Sequence, residues 1–218
     1  MRQLPSDKYN VAWFKLAEFV ARGERERALG LYKLLIHSFD DRALAYQLEG
    51  DLLLSFKDVS AASQRYGNAA DLYKKDSRMI EAAAVYEHLI TLNPECPENL
   101  VFALEMYEVL NIGSRLVVHL GHLCELLISN NQLEQLQCIM NEWDYKIDHH
   151  HAAHLYKTIT LRLMQKKIVV EDLQFYLKKT IDYLSLDKHS TILQKFLSTI
   201  EALHNDYYHE VTMHVQEL

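Results

Sequence analysis

Glycine and proline are scarce in this chain, with six of one and three of the other among 218 residues. An all-β domain turns every few residues and draws on both for its turns, so their scarcity argues against that class and for long helices joined by short turns. Cysteine is also thin. Cys96, Cys124 and Cys138 are odd in number and have no CxxC spacing, which disfavours a disulfide framework and points to buried thiols in a reducing compartment. No uninterrupted apolar run approaches the roughly 20 residues that cross a bilayer. Near the N-terminus, Lys15 and Glu18 interrupt the apolar residues that a signal-peptide core would need. Together these absences predict a cytoplasmic protein with no membrane span.

A basic face is missing as well. The formal net charge is −7, with 13 basic and 17 acidic residues in positions 1–109 and 10 and 13 in the remainder. The densest basic clusters are pairs, Lys74-Lys75, Lys166-Lys167 and Lys178-Lys179, where a nucleic-acid binder concentrates Lys and Arg along one face. Nucleic acid is therefore not an expected partner. The chain also lacks a phosphate-cradling Gly-rich loop, a GxSxG elbow and a carboxylate pair set for general acid and base work. No enzyme activity and no cofactor are expected from these residues.

What the chain does have is helical periodicity. Within residues 59–94, Ala62, Tyr66 and Ala69 share one face, as do Tyr66, Ala70 and Tyr73. A polar break at Lys74-Lys75-Asp76-Ser77 follows, and the same beat returns as Ala82, Tyr86 and Leu89 before Pro94. Alanine lets two helix backbones approach, and a tyrosine one turn away fills the space beside the contact. The triplets Trp13/Ala17/Val20, Tyr46/Gly50/Leu53 and Met79/Ala83/Tyr86 each lie 33 residues apart, and Ala28/Tyr32/Leu35 and Ala62/Tyr66/Ala69 are offset by 34.

Periods of that size mark stacked helical hairpins. The residues Trp13-x2-Leu16-Ala17, Tyr46-x3-Gly50 and Ala82-x3-Tyr86 with Pro94 resemble the tetratricopeptide (TPR) repeat over residues 9–94. Glu49 stands where that repeat usually has leucine, and Val20 and Leu53 where it has tyrosine. The helix from Val59 to Lys75 fits two phases of the repeat. The vesicle-fusion attachment proteins called SNAPs carry a looser form of the same pattern. The resemblance implies an all-α, right-handed superhelix of antiparallel helical hairpins with about 10 or 11 helices, and a concave groove lined by the first helix of each pair. It places Phe14 and Glu18, Gln47 and Asp51, and Ile80 and Ala84 in that groove, where a protein or peptide partner would be held. Function is then that of a scaffold or adaptor for protein binding. Glu18 and Asp51 stand where a lysine-asparagine clamp for a chaperone's terminal carboxylate needs asparagine or no negative charge, which disfavours that ligand.

Read in order, Ser6 and Asp7 are plausible caps for a first helix to about Arg22, Gly23 marks a turn, and a second helix runs from Glu24 to about His37. Asp40 or Asp41 caps a third through Phe56, apolar on more than one side, as befits a helix between neighbours. Past the loop at Asn93 to Pro97, leucines replace alanines at Leu116/Leu120/Leu123/Leu127 and Leu133/Leu136/Met140/Trp143. Helices are expected at about 152–165, 170–184 and 188–203. The reading is one domain: hairpins over 9–94, degenerate hairpins over 97–204, and a C-terminal extension over 205–218.

Histidine is abundant, with twelve copies. In Asp148-His149-His150-His151 with His154, the pairs His150/His154 and His151/His154 have the spacing of two metal ligands on one helix face, the alternative being a metal-dependent helical enzyme. A catalytic zinc normally needs a third protein ligand and an outer partner, and Asp148 suits a helix cap, so no metal is predicted. His119, His122, Cys124 and Cys138 form a second soft-ligand set whose members do not share one face. The stretch His209 to His214 has one residue too many for HExxH, which turns the second histidine away from the first.

Overall fold

The computed structural model describes residues 6–37, 39–167, 170–186, 191–203, 207–208, 212–213 and 215, with backbone only for 6–10 and 170–172. The side chains of the expected caps Ser6 and Asp7, the start of the last helix at Lys188, Val211 and most of the tail lie outside what it describes. Among the described residues there are eleven α-helices, one short 3-10 turn and no strand. The chain divides into two compact units, Met1–Leu110 and Asn111–Leu218.

The first unit holds six helices: α1 (Ser6–Ala21), α2 (Arg25–Ile36), α3 (Arg42–Ser55), α4 (Val59–Lys75), α5 (Met79–Leu92) and α6 (Pro97–Val109). Helices adjacent in sequence pack on each other, most extensively α3 on α4 and α4 on α5. The 33-residue triplets fall on α1, α3 and α5, and the 34-residue pair on α2 and α4.

Helix starts follow from side-chain chemistry. Asp41 accepts a hydrogen bond from the backbone N–H of Leu44, and Asp58 one from Ala61, each satisfying a donor that the first helical turn leaves open. Pro97 occupies the first turn of α6, where its missing N–H costs nothing. Glu24 precedes α2 without a capping bond and pairs instead with Arg27.

Six helix ends share one device. Gly23, Lys57, Ser77, Asn111, Asn131 and Lys167 all have left-handed backbone, with φ from 54° to 71°. At the end of α3 the N–H of Lys57 bonds to the carbonyl of Leu54 and that of Asp58 to Leu53; after α4, Ser77 bonds to Lys74 and Arg78 to Tyr73. This paired closure satisfies the last carbonyls of one helix while turning the chain into the next.

Alanine and tyrosine build the middle of the unit. Ala62, Ala69, Ala70 and Ala82 are fully buried, with Tyr66, Tyr73 and Tyr86 buried beside them. A Cβ added to Gly50 of α3 would stand 2.8 Å from the ring of Tyr66 on α4, so glycine there sets how closely the two helices meet. Helices α1 to α3 contribute a shared core of Leu16, Phe19, Ala28, Tyr32, Leu35 and Leu52. Each such large side chain taken from water contributes about 1.5–3 kcal/mol before entropy is counted. Helix α3 faces this core with Leu52 and α4 with Gly50, the two-sided burial that its sequence implied. The triplet on α1 departs from the pattern: Ala17 is exposed, where Gly50 in the matching place on α3 is covered by the Tyr66 ring.

The second unit comprises α7 (Gly113–Ser129), α8 (Leu133–Trp143) with the 3-10 turn Asp144–Lys146, α9 (His149–Gln165), α10 (Val170–Ser185) and α11 (Thr191–Leu203). Leu116, Leu120, Leu123 and Leu127 bury one face of α7, and Trp143 closes α8 at 1% exposure. The hydroxyls of Thr160 on α9 and Thr180 on α10 share a 2.9 Å hydrogen bond in the core. Asp144 receives Lys179 at 3.1 Å and the Tyr183 hydroxyl at 2.6 Å. The ammonium of Lys166 reaches the carbonyls of Ile128 and Ser129 at the end of α7, where a cation suits the helix dipole. Helix α9 starts at His149, three residues before the expected Ala152, because Asp148 accepts from both His150 N–H and His151 N–H.

Candidate functional site

Between α1 and α3 the first unit leaves an open groove of about 390 Å³, walled by Trp13, Ala17 and Val20 on one side and Leu48, Asp51 and Leu52 on the other. Trp13 is half-buried, its indole set edge-on to Phe39 with ring centroids 5.8 Å apart. Tyr32 from α2 forms part of the floor and donates its hydroxyl to the carbonyl of Ala45. Asp51 is the charged group of the lining, and its Oδ1 accepts from the Tyr66 hydroxyl at 2.6 Å. Burial of the Tyr66 phenol, with this bond to Asp51, pushes its pKa well up, so the proton stays on the phenol.

Of the six residues that the repeat pattern singles out, Asp51 lines this groove. Phe14 is 78% exposed on α1, and by helical phase it sits next to Ala21 at the groove's edge. Glu18, on the same side, pairs with Arg22 at 2.5 Å. Gln47 has its side-chain oxygen taken by the Tyr73 hydroxyl at 2.9 Å. Ile80 is 70% exposed and Ala84 is exposed, both on α5 and outside the groove lining. The hydroxyls of Tyr86 and Tyr107 donate to Asp71 and Glu87, so tyrosine-to-acceptor bonds between neighbouring helices recur through the unit.

Trp13, Ala17 and Val20 are groove residues that the sequence presents as packing residues. Ala17 and Ala83 hold the same place in the same triplet, yet Ala83 is 6% exposed and Ala17 is open. Residue type carries no signal that separates the two; the neighbouring helices do.

The second unit has its own cleft of about 260 Å³ between α7 and α9, lined by Val117, Gly121, Cys124, Glu125, His154 and Thr158 among others. Glu125 is bonded to Arg162 at 2.8 Å. Burial pushes the Cys124 thiol up to about 12, which makes it a poor nucleophile. Cys124 points inward to the sulfur of Met140, while His119 is half-buried and His122 and Cys138 are exposed. In the histidine run, His151 is held by Asp148 and the rings of His149 and His150 lie 4.3 Å apart. Among the described residues no three His, Cys, Asp or Glu side chains are placed to hold a metal ion. His209 and His214 lie outside the described residues.

Charge elsewhere is engaged in holding helices. The backbone N–H of Leu44, then the Arg78 guanidinium at 2.5 Å, hold the Asp41 carboxyl below its usual range. The N–H of Ala61 and then Arg25 do the same for Asp58. The N–H of His151, followed by its imidazole, does so for Asp148. None of the described helices is long and apolar enough to cross a membrane. Compared with known proteins, the chain matches no protein-family model and no curated protein sequence.

Proposed function

We propose that this chain is a TPR-like stack of helical hairpins that serves as a protein-binding scaffold or adaptor and carries out no chemistry. The observation that carries the reading is the α1/α3 groove. Its walls are apolar and open, in a unit where the small residues at the matching place of the other two triplets are covered, Gly50 by the Tyr66 ring and Ala83 by burial to 6% exposure. Apolar surface left accessible in a concave site is what a partner segment buries on docking. The fall of the 33-residue triplets on α1, α3 and α5 supports pairing the helices as α1/α2, α3/α4 and α5/α6, with first helices supplying the groove walls.

The test is to block the groove without disturbing the core. Ala17→Trp adds bulk at an exposed position on the groove wall. Wild-type and variant chains with matched thermal midpoints would be compared for the proteins they retain in quantitative co-purification. A partner held by the wild type and lost from the variant supports the reading. An identical set of retained proteins removes the groove as the docking site.

A further inference from the structure

The polar atoms of the α1/α3 groove are nearly all acceptors. Tyr66 donates its proton to Asp51, Ser55 donates to the carbonyl of Leu52 at 2.6 Å, and Tyr32 donates to the carbonyl of Ala45. Among the described residues Asp51 has no ion-pair partner. Arg22, just past α1, pairs with Glu18 at 2.5 Å, and Arg65 of α4 pairs with Glu49 at 3.2 Å. A carboxylate thus faces an apolar groove that also presents the indole of Trp13.

Such a site favours a cation carried on an apolar body. A guanidinium or ammonium gains a charge-assisted bond from the carboxylate and can lie against an aromatic face. An acidic segment would set like charge against Asp51 and lose affinity. The α1 wall runs from Trp13 to Ala21, about 12 Å at the helical rise of 1.5 Å per residue, which matches the span of i, i+3 or i+4, and i+7 anchors on a partner helix.

The geometry points to a cationic amphipathic helix of a partner protein as the occupant, with its apolar side chains in the groove and an arginine or lysine one turn away against Asp51. This rests on the adaptor reading and adds the charge of the partner to it.

The experiment selects a random 16-residue peptide library displayed on phage against the full chain. Recovered peptides are then measured on Ala17→Trp, Ala21→Trp, Asp51→Asn and Asp51→Lys. Asparagine keeps an oxygen for the Tyr66 hydroxyl, and two groove-filling variants guard against one that fails to fold; a thermal midpoint is taken for each. The expected peptides lose binding on the tryptophan variants and carry Arg or Lys three or four residues from their apolar anchors. They weaken about tenfold on Asp51→Asn, more on Asp51→Lys, and progressively with added salt. Groove-dependent peptides with no excess of cations, or with equal affinity for Asp51→Asn, overturn the inference and leave the adaptor reading standing. If no recovered peptide depends on Ala17 or Ala21, both are overturned.

Discussion

Tyr66 donates its phenolic proton across 2.6 Å to Asp51 on the preceding helix, and its ring lies 2.8 Å from where a Cβ on Gly50 would stand. One side chain therefore sets both the spacing of α3 and α4 and the orientation of the groove's carboxylate.

Gly50→Ala is expected to destabilise the protein. The helix gains up to about 1 kcal/mol of propensity from alanine. Against this, the ring is rigid and Tyr66 only 1% exposed, so the clash has no easy relief and overpacking costs about 1–3 kcal/mol. Tyr66→Ala and Ala83→Leu should each cost roughly 2–4 kcal/mol, one by leaving a cavity and the other by overfilling. Urea unfolding measures all three, and a Gly50→Ala variant more stable than wild type would mean the ring is seated elsewhere.

Replacing left-handed residues by glycine is expected to stabilise. Lys57 and Ser77 hold φ values of 61° and 59°, which cost a residue with a Cβ about 1–2 kcal/mol. Glycine removes that cost and returns part of it as unfolded-chain entropy, leaving a net gain of about 0.5–1 kcal/mol for Lys57→Gly or Ser77→Gly. Gly23→Ala, at φ 71°, should go the other way. Midpoints of thermal unfolding rank the three variants.

Acid should weaken the fold in a defined direction. The carboxyls of Asp41, Asp58 and Asp148 titrate below their ordinary value of 3.8 in the folded chain. A depressed folded pKa contributes stability that is present above the unfolded value and is lost as pH falls through the folded one. Stability is thus expected to hold down to about pH 4 and to decline below it. Asp41→Asn keeps a cap oxygen but not the charge, and should flatten that decline when urea midpoints are compared between pH 7 and pH 2.5. An unchanged slope would detach Asp41 from the acid response.

Thiol chemistry offers an independent check on the second unit. Cys138 is exposed, whereas Cys124 is buried with its thiol pushed up to about 12. Iodoacetamide at pH 8 is expected to alkylate Cys138 in the native chain and to leave Cys124 unmodified until urea is added. Early modification of Cys124, read by peptide mass, would show that α7 opens there.

Helices were legible in the sequence because burial imposes a period. Ala62, Tyr66, Ala70 and Tyr73 repeat on one face, and α4 and α5 occupy the residues that this beat marks. Asp41 and Asp148 were legible as caps because their chemistry acts within three residues. What distant residues decide was not legible. Arg25 meets Asp58 across 33 positions and Arg78 meets Asp41 across 37, and nothing local to either arginine selects its partner. Gln47 and Asp51 could be placed on one face of α3, yet the tyrosines that bind them come from α4. Ala17 resembles the packing alanines because it matches them in type and register, and its exposure distinguishes it from Ala83.

The corners at Lys57 and Ser77 are tied by main-chain amides, which makes them strict about length. A residue added at either corner must undo those ties or rotate the next helix by about 100°, the angle one residue subtends in a helix. At Lys57 that rotation would swing the Tyr66 ring off Gly50 and its hydroxyl off Asp51, so loop length at a site with no groove contact governs whether the groove keeps its anchored charge.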